Sequence, residues 1–142
     1  MKISGFLSFS KKILHYYNKL SKPVIKKYDI PQVSFDILMF LAVNPEYHTA
    51  QDISELRRIK KNLVSVHVEK LVNAGYLERT VVAGDRRKIG LVCTPKADPI
   101  IQDGLDMHKV FINDITKGIS EKDWNICKEI LVTMEKNADN MI

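Results

Sequence analysis

Two cysteines in 142 residues, Cys93 and Cys127, stand 34 positions apart with no Cys-x-x-Cys and no paired-histidine spacing. That excludes a disulfide framework and a tetrahedral zinc site. It leaves two small residues whose ordinary place is a partly apolar interior. A redox-sensing thiol is the alternative for either, although no neighbouring residue is placed to lower its pKa. The four histidines, His15, His48, His67 and His108, are scattered, and none stands at ligand spacing from another. No Gly-rich phosphate loop or nucleophile elbow is present, so no enzyme, catalytic residue, metal or cofactor is expected. No apolar run approaches the roughly 18 residues needed to cross a bilayer. The opening MKISGFLSFSKKILHYY is interrupted by Lys11, Lys12 and His15 and lacks a small-residue cleavage site. The expected address is the cytoplasm, with no membrane partner.

What is present is an ordinary apolar share, 45%, and a net charge of +5 that is unevenly spread. Such a chain folds as one domain, or as one small domain with an added interface region. Residues 1–33 hold seven Lys and one Asp; residues 34–97 hold ten Lys and Arg against seven acids; residues 98–142 hold five Lys and nine acids. A basic front and an acidic rear suit a protein whose first two-thirds meets a polyanion.

In chain order, Phe6, Phe9, Ile13, Tyr16/Tyr17, Leu20 and Val24 mark one face of a first helix, over Gly5 to about Lys27. Pro23 is expected to kink or interrupt it. Ser34 is expected to cap a second helix running to Val43, ended by Asn44-Pro45. Thr49 and Asp52 form a capping box for a third helix, with Ile53, Leu56 and Ile59 as its apolar face. A fourth helix spans about Asn62 to Ala74, capped by Asn62 or Lys61 and stopped by Gly75. Two strand-like runs follow, Tyr76–Val82 and Lys88–Cys93, joined by the loop Ala83-Gly84-Asp85-Arg86-Arg87. Thr94-Pro95 opens a fifth helix whose start Pro99 kinks or delays, and Ser120-x-x-Asp123 boxes the start of a sixth. The fold class is mostly α, six helices and one small hairpin.

On a helical wheel the fourth helix gathers Val64, Val68, Leu71 and Val72 on one side. Asn62, Val66, Glu69, Lys70 and Asn73 lie opposite, with Leu63, Ser65 and His67 on the flanks. A capped helix, a short turn and a half-polar helix of this kind suit the DNA major groove, about 12 Å wide. Asn62 and Ser65 offer hydrogen bonds to bases, Val66 a contact to a thymine methyl, and Lys60, Lys61 and Lys70 contacts to phosphates. Arg86, Arg87 and Lys88 in the hairpin loop suit a narrow minor groove, with Asp85 placed to hold one of these side chains extended.

These segments resemble the MarR family of winged helix-turn-helix transcriptional regulators. The wing pattern stands here as Asp85-Arg86-Arg87-Lys88-Ile89-Gly90-Leu91-Val92-Cys93-Thr94. Asn62-Leu63-Val64-Ser65 through Gly75-Tyr76-Leu77-Glu78-Arg79 is similar to the family's recognition helix and its exit. Arg58 stands where a turn Gly is usual, Val66 where a basic residue is frequent, and His67, Cys93 and Ala97 replace an aliphatic, a Leu and a Gly. The resemblance implies a winged helix-turn-helix DNA-binding domain over 34–94 and a helical dimerisation region over 1–33 and 95–142. It makes Arg87 the minor-groove arginine and Asp85 its orienting partner. His67, at the border of the buried face of the fourth helix, is read as a partly buried histidine, with a pH-sensitive spot as the alternative, and is counted among the contact residues. It further implies a homodimer on a pseudo-palindromic double-stranded operator, acting as a repressor relieved by a small-molecule or oxidant effector. The rivals are a winged-helix adaptor that binds another protein, and a DNA-binding thiol sensor using Cys93 or Cys127.

Overall fold

A computed structural model describes residues 1–142, which fall into two compact units, 1–108 and 109–142. The elements are α1 (Ile3–Tyr28), α2 (Gln32–Val43), α3 (Ala50–Arg57), α4 (Lys61–Asn73), β1 (Leu77–Val82), β2 (Asp85–Cys93), α5 (Asp98–Ile115) and α6 (Glu121–Asp139). A 3-10 turn over Pro95–Ala97 precedes α5. The expected mostly α fold, six helices with one small antiparallel sheet, is what forms. No helix is long and apolar enough to cross a membrane.

The core of the first unit gathers on α2. Phe35, Ile37, Leu38, Met39, Phe40 and Leu41 are all buried. Each such side chain is worth about 1.5–3 kcal/mol relative to exposure. Ile53 of α3, Val64, Val68 and Leu71 of α4, Leu77 of β1 and Leu91 of β2 complete it, with Ile100 and Met107 from α5. Leu56, expected on the buried face of α3, is 48% exposed. The helix is only eight residues long and turns a narrow side inward, which Ile53 alone fills.

Three expectations about helix ends are corrected. Pro23 does not interrupt α1, which runs to Tyr28. The amide it lacks would have met the carbonyl of Lys19, an exposed residue. Ser34 does not cap α2, which starts a turn earlier: Pro31 takes the N-cap position and its carbonyl accepts from the Phe35 N–H at 3.0 Å. Ser120 caps α6 by accepting from the Asp123 N–H at 3.1 Å, without the reciprocal half of the expected box. Pro99 falls in the first turn of α5, and the 3-10 turn before it is the delayed start its position predicts.

The two strands pair antiparallel from Leu77↔Cys93 to Val81↔Ile89. A further bridge joins Thr49 to Gly90, and the Leu91 N–H donates to His48 O at 2.7 Å. Gly90 permits this approach, because a Cβ there would stand 2.6 Å from Thr80 Oγ1 and 3.1 Å from His48 Cδ2.

On α5, Ile100, Gly104 and Met107 form the buried seam. A Cβ on Gly104 would overlap the Met39 sulfur and stand 3.1 Å from Phe35 Cε2. Both of those residues are buried, so neither has open space to yield into. Gly104→Val is therefore expected to destabilise by about 1–3 kcal/mol through overpacking. The check is the urea midpoint at unchanged m-value, and a midpoint equal to that of wild type contradicts the close packing of α5 on α2.

Candidate nucleic-acid interface

Thr49 opens α3 with the expected box. Its Oγ1 accepts from the Asp52 N–H at 3.1 Å, while Asp52 Oδ2 accepts from the Thr49 N–H at 2.9 Å and the His48 N–H at 3.0 Å. Burial pushes the Asp52 carboxyl up, but the bonds from Thr49 and His48 outweigh it and hold it below the usual range. The helix stops at Arg57 because Arg58 turns left-handed, at φ 53 and ψ 40. For a side chain of this size that conformation costs about 1–2 kcal/mol relative to glycine. Ser54 Oγ donates to Ile59 O at 2.7 Å and ties the turn back onto α3.

α4 begins at Lys61, with Lys60 in the N-cap position and no side chain accepting from the first turn. This corrects the expected capping by Asn62 or Lys61, since the backbone is already helical after Lys60. Val64, His67, Val68 and Leu71 face inward. Lys61, Asn62, Ser65, Val66, Glu69, Lys70 and Asn73 are exposed. His67, expected among the contact residues, is only 8% exposed, and its Nδ1 lies 2.9 Å from Ser34 Oγ on α2. It is a satisfied packing histidine between two helices. Burial, with the Lys70 charge behind it, holds its ring below the usual pKa.

The far end of α4 is tied down thoroughly. The Tyr76 N–H donates to Leu71 O at 2.9 Å and the Gly75 N–H to Val72 O at 3.0 Å, with Gly75 at φ 81. That is a Schellman ending, which glycine adopts without strain. Lys96 Nζ donates to Ala74 O at 2.5 Å and lies 4.7 Å from the centroid of the Tyr76 ring. Arg79 on β1 meets Glu69 on the outer side of α4 at 2.5 Å, so the sheet is linked to the helix it follows. This link was not anticipated, and neither was the bridge from Thr49 to the wing. The only advance signal for the bridge was a glycine inside a strand, at Gly90.

In the wing, Ala83 and Gly84 make the turn, with Gly84 at φ 84. Val82 pairs with Asp85, yet Val81 pairs with Ile89. Arg86, Arg87 and Lys88 are therefore looped out of the ladder on the returning strand, and all three are exposed. Asp85 Oδ1 accepts from the Arg87 backbone N–H at 2.9 Å. The carboxylate thus holds the main chain at Arg87, where it was expected to hold a side chain. Arg87 and Lys88 border an open cleft of about 640 Å³, across from Tyr47, Gln51 and Glu55.

A second cluster lies where α1, α2, α3 and α5 converge. Ser21 Oγ donates to Gln32 Oε1 at 2.8 Å, Gln32 Nε2 donates to Asp36 Oδ1 at 3.0 Å, and Arg57 lies 3.6 Å from Asp36 Oδ2. Tyr17 and His108 are hydrogen-bonded, hydroxyl to Nε2, at 3.0 Å. Burial, then the Asp36 charge, pushes Tyr17 up to about 12, and burial, then Arg57, holds His108 below its usual value. Burial raises Asp36, partly offset by Gln32 and Arg57. Tyr17, Asp36, Arg57 and His108 border a cavity of about 190 Å³. Burial, with Asp98 second, pushes the Cys93 thiol up to about 11, so almost none of it is thiolate at neutral pH.

The arrangement is that of a winged helix-turn-helix DNA-binding protein. A model described as the MarR family matches residues 28–88. The chain is 26% identical over 119 residues to the HTH-type transcriptional regulator PecS of Dickeya dadantii, covering 82% of this chain and 72% of that one. The transcriptional regulator PA3341 shares the fold with a TM-score of 0.82 at 24% identity, over 95% of this chain and 98% of that one. The S. aureus MepR protein of a MepR–DNA complex does so with a TM-score of 0.74 at 16% identity, over 96% of each chain. The chain is thus similar to the MarR family of transcriptional regulators over residues 28–88.

Buried His67 and half-buried His108 set a pH dependence whose sign follows from their desolvation. Their folded pKa values lie below the unfolded value of about 6.5, so on acidification the unfolded chain takes up protons first. The stability they contribute is complete above that value and is lost as pH falls through the folded values. Tm measured from pH 8 to pH 5 is expected to fall more steeply for wild type than for His67→Leu. Parallel curves for the two proteins contradict a neutral buried His67.

Proposed function

We propose that this protein is a homodimeric repressor that occupies a pseudo-palindromic double-stranded operator, with α4 in the major groove and Arg87 in the adjacent minor groove. The observation that carries the reading is the presence of two separate exposed polar sets on one linked scaffold. One is the outer side of α4; the other is the looped-out Arg86–Lys88, with the Arg87 main chain held by Asp85. In this reading Asn62 and Ser65 bond base edges and Val66 meets a thymine methyl. Lys60, Lys61, Lys70, Arg86 and Lys88 bind phosphates.

The proposed functional division is a DNA-binding part over 34–94 and a dimerising part over 1–33 and 95–142. It is supported by α6, which has no buried residue and leaves Ile126, Ile130, Leu131, Val132 and Met134 exposed. Two-fold symmetry then sets the two α4 helices about 34 Å apart, one turn of DNA. The small-molecule effector is assigned to the cavity bordered by Tyr17, Asp36, Arg57 and His108. At about 190 Å³ it is below the roughly 300–1,000 Å³ of ordinary ligand pockets, so an effector enters by parting these side chains. Arg57 is the last residue of α3, which gives such a movement a direct route to the helix-turn-helix.

Selection from random duplexes, followed by anisotropy titration, is the test. A defined sequence is expected to emerge and to bind two protomers. Arg87→Ala weakens binding across all sequences, whereas Asn62→Ala relaxes preference at one position per half-site, by about 1–3 kcal/mol. If no duplex outcompetes random DNA at any salt concentration, the specific-repressor reading is wrong. A protein that stays monomeric at micromolar concentration in sedimentation removes the two-fold operator.

A further inference from the structure

Between Ile3 and Tyr28, α1 holds six lysines and no acidic residue. Lys27 meets Asp103 at 2.7 Å. The other five, Lys11, Lys12, Lys19, Lys22 and Lys26, are exposed and paired with no acid. At 3.6 residues per turn these five fall within a sector of about 100° around the helix. They form one stripe, about 22 Å long from Lys11 to Lys26 at 1.5 Å per residue. The other helical positions in that sector are Ser4, Ser8 and His15, so the stripe is polar throughout. Half-buried Ile13, Tyr17 and Val24 lie on the far side of the helix from it. The exposed apolar residues of α1, Ile3, Leu7, Phe9 and Leu14, lie outside the sector, so a protomer that covers them leaves the stripe open.

The stripe also faces away from the exposed side of α4, because α2 lies between the two helices. Gln32 of α2 accepts from Ser21 of α1 at 2.8 Å, and Asp36 of α2 borders the same cavity as Tyr17 of α1. Ser34 of α2 is hydrogen-bonded to His67 of α4 at 2.9 Å. Gln32 and Asp36 each stand about 160° around α2 from Ser34, so α1 and α4 pack on opposite sides of it. With neighbouring axes about 8–10 Å apart, the outer sides of α1 and α4 are separated by more than about 20 Å. A duplex seated on α4 does not reach the stripe.

We propose that the lysine stripe of α1 is a second, sequence-indifferent DNA site, through which the protein seated on its operator holds another stretch of duplex. A row of ammonium groups takes phosphates as point charges and reads no bases. An anionic membrane is the poorer fit: the apolar side of α1 is turned inward, and nothing in the stripe can insert among acyl chains. The proposal rests on the operator-binding reading above, and adds a binding site to a helix which that reading gives to dimerisation alone.

The test immobilises the duplex that wild type selects, loads it with protein, washes it and offers a labelled duplex of random sequence. Wild type is expected to retain the second duplex, and to release it as salt rises. The variant Lys11→Gln/Lys12→Gln/Lys19→Gln/Lys22→Gln should retain it roughly tenfold less, with a slope of log K against log[salt] shallower by about four phosphates per stripe. Its affinity for the operator at about 0.15 M salt should equal that of wild type, because the screening length there, about 8 Å, is well short of the distance between the two faces. Arg at the same four positions should keep the retention of wild type. Both replacements have the helix propensity of lysine, so α1 is preserved in each. If wild type on its operator retains no second duplex, or the Gln variant retains as much, the proposal is overturned. It is equally overturned if phosphatidylserine vesicles are retained and the duplex is not, which makes the stripe a membrane face. Failure of wild type to prefer any duplex is a different result: it removes the operator-binding reading, and this proposal with it.

Discussion

Every side of α2 but one is inside the protein. From Ser34 to Leu41 each residue is buried except Asp36, and that one is spoken for by Gln32 and Arg57. A helix so nearly enclosed cannot rotate or slide without opening a void or stranding a polar group, so its neighbours take their positions from it. α1, α4 and β2 all pack directly on it. The Ser34–His67 hydrogen bond sharpens this dependence. Buried polar groups must be paired, and only one rotation of α4 about its own axis brings the His67 ring to Ser34. The exposed side of α4 is thereby decided from within. Asn62 and Val66 face outward because His67, one position later, is held inward.

The same logic separates the two ends of α4. Its C-terminal end is closed by the Gly75 turn, the Lys96 ammonium and the Arg79–Glu69 pair. Its N-terminal end carries no side-chain cap and no carboxylate. The helix is anchored at the rear and open at the front, where the macrodipole is positive. The polar cluster of Tyr17, Asp36, Arg57 and His108 meets this assembly at the end of α3, so the two exposed sets and the buried cluster share one short segment of chain.

Much of this was legible in the residues. Local signals carried what local physics decides: the Thr49–Asp52 box, the stop at Gly75, the hydrophobic side of α4 and the paired strands. What escaped was decided by partners distant in the chain. His67 looks like a border residue on a wheel, and only the approach of Ser34, 33 positions earlier, draws it inside. Ser34 has the composition of a cap, and that same bond shows where its hydroxyl is used. The Pro23 amide is lost on an exposed stretch of α1, a circumstance invisible to periodicity. Pairing register is likewise not a local property, so the loop expected over Ala83–Arg87 did not disclose that Asp85 pairs with Val82 or that Lys88 leaves the ladder.

That excursion from the ladder has a consequence for how such a protein changes over time. The pairs Val82↔Asp85 and Val81↔Ile89 close the hairpin without help from the three residues between Asp85 and Ile89. Replacing, lengthening or shortening that trio leaves every backbone pair of the sheet in place, and exposed loop positions tolerate such changes best. If the wing reads DNA as proposed, it can acquire a new preference through substitutions that are nearly neutral for folding. The inner side of α4 has no such latitude, because Val64, His67, Val68 and Leu71 are buried and α4 packs on α2. On the proposed reading, the inner side of α4 is fixed by its packing while the wing trio is free to change.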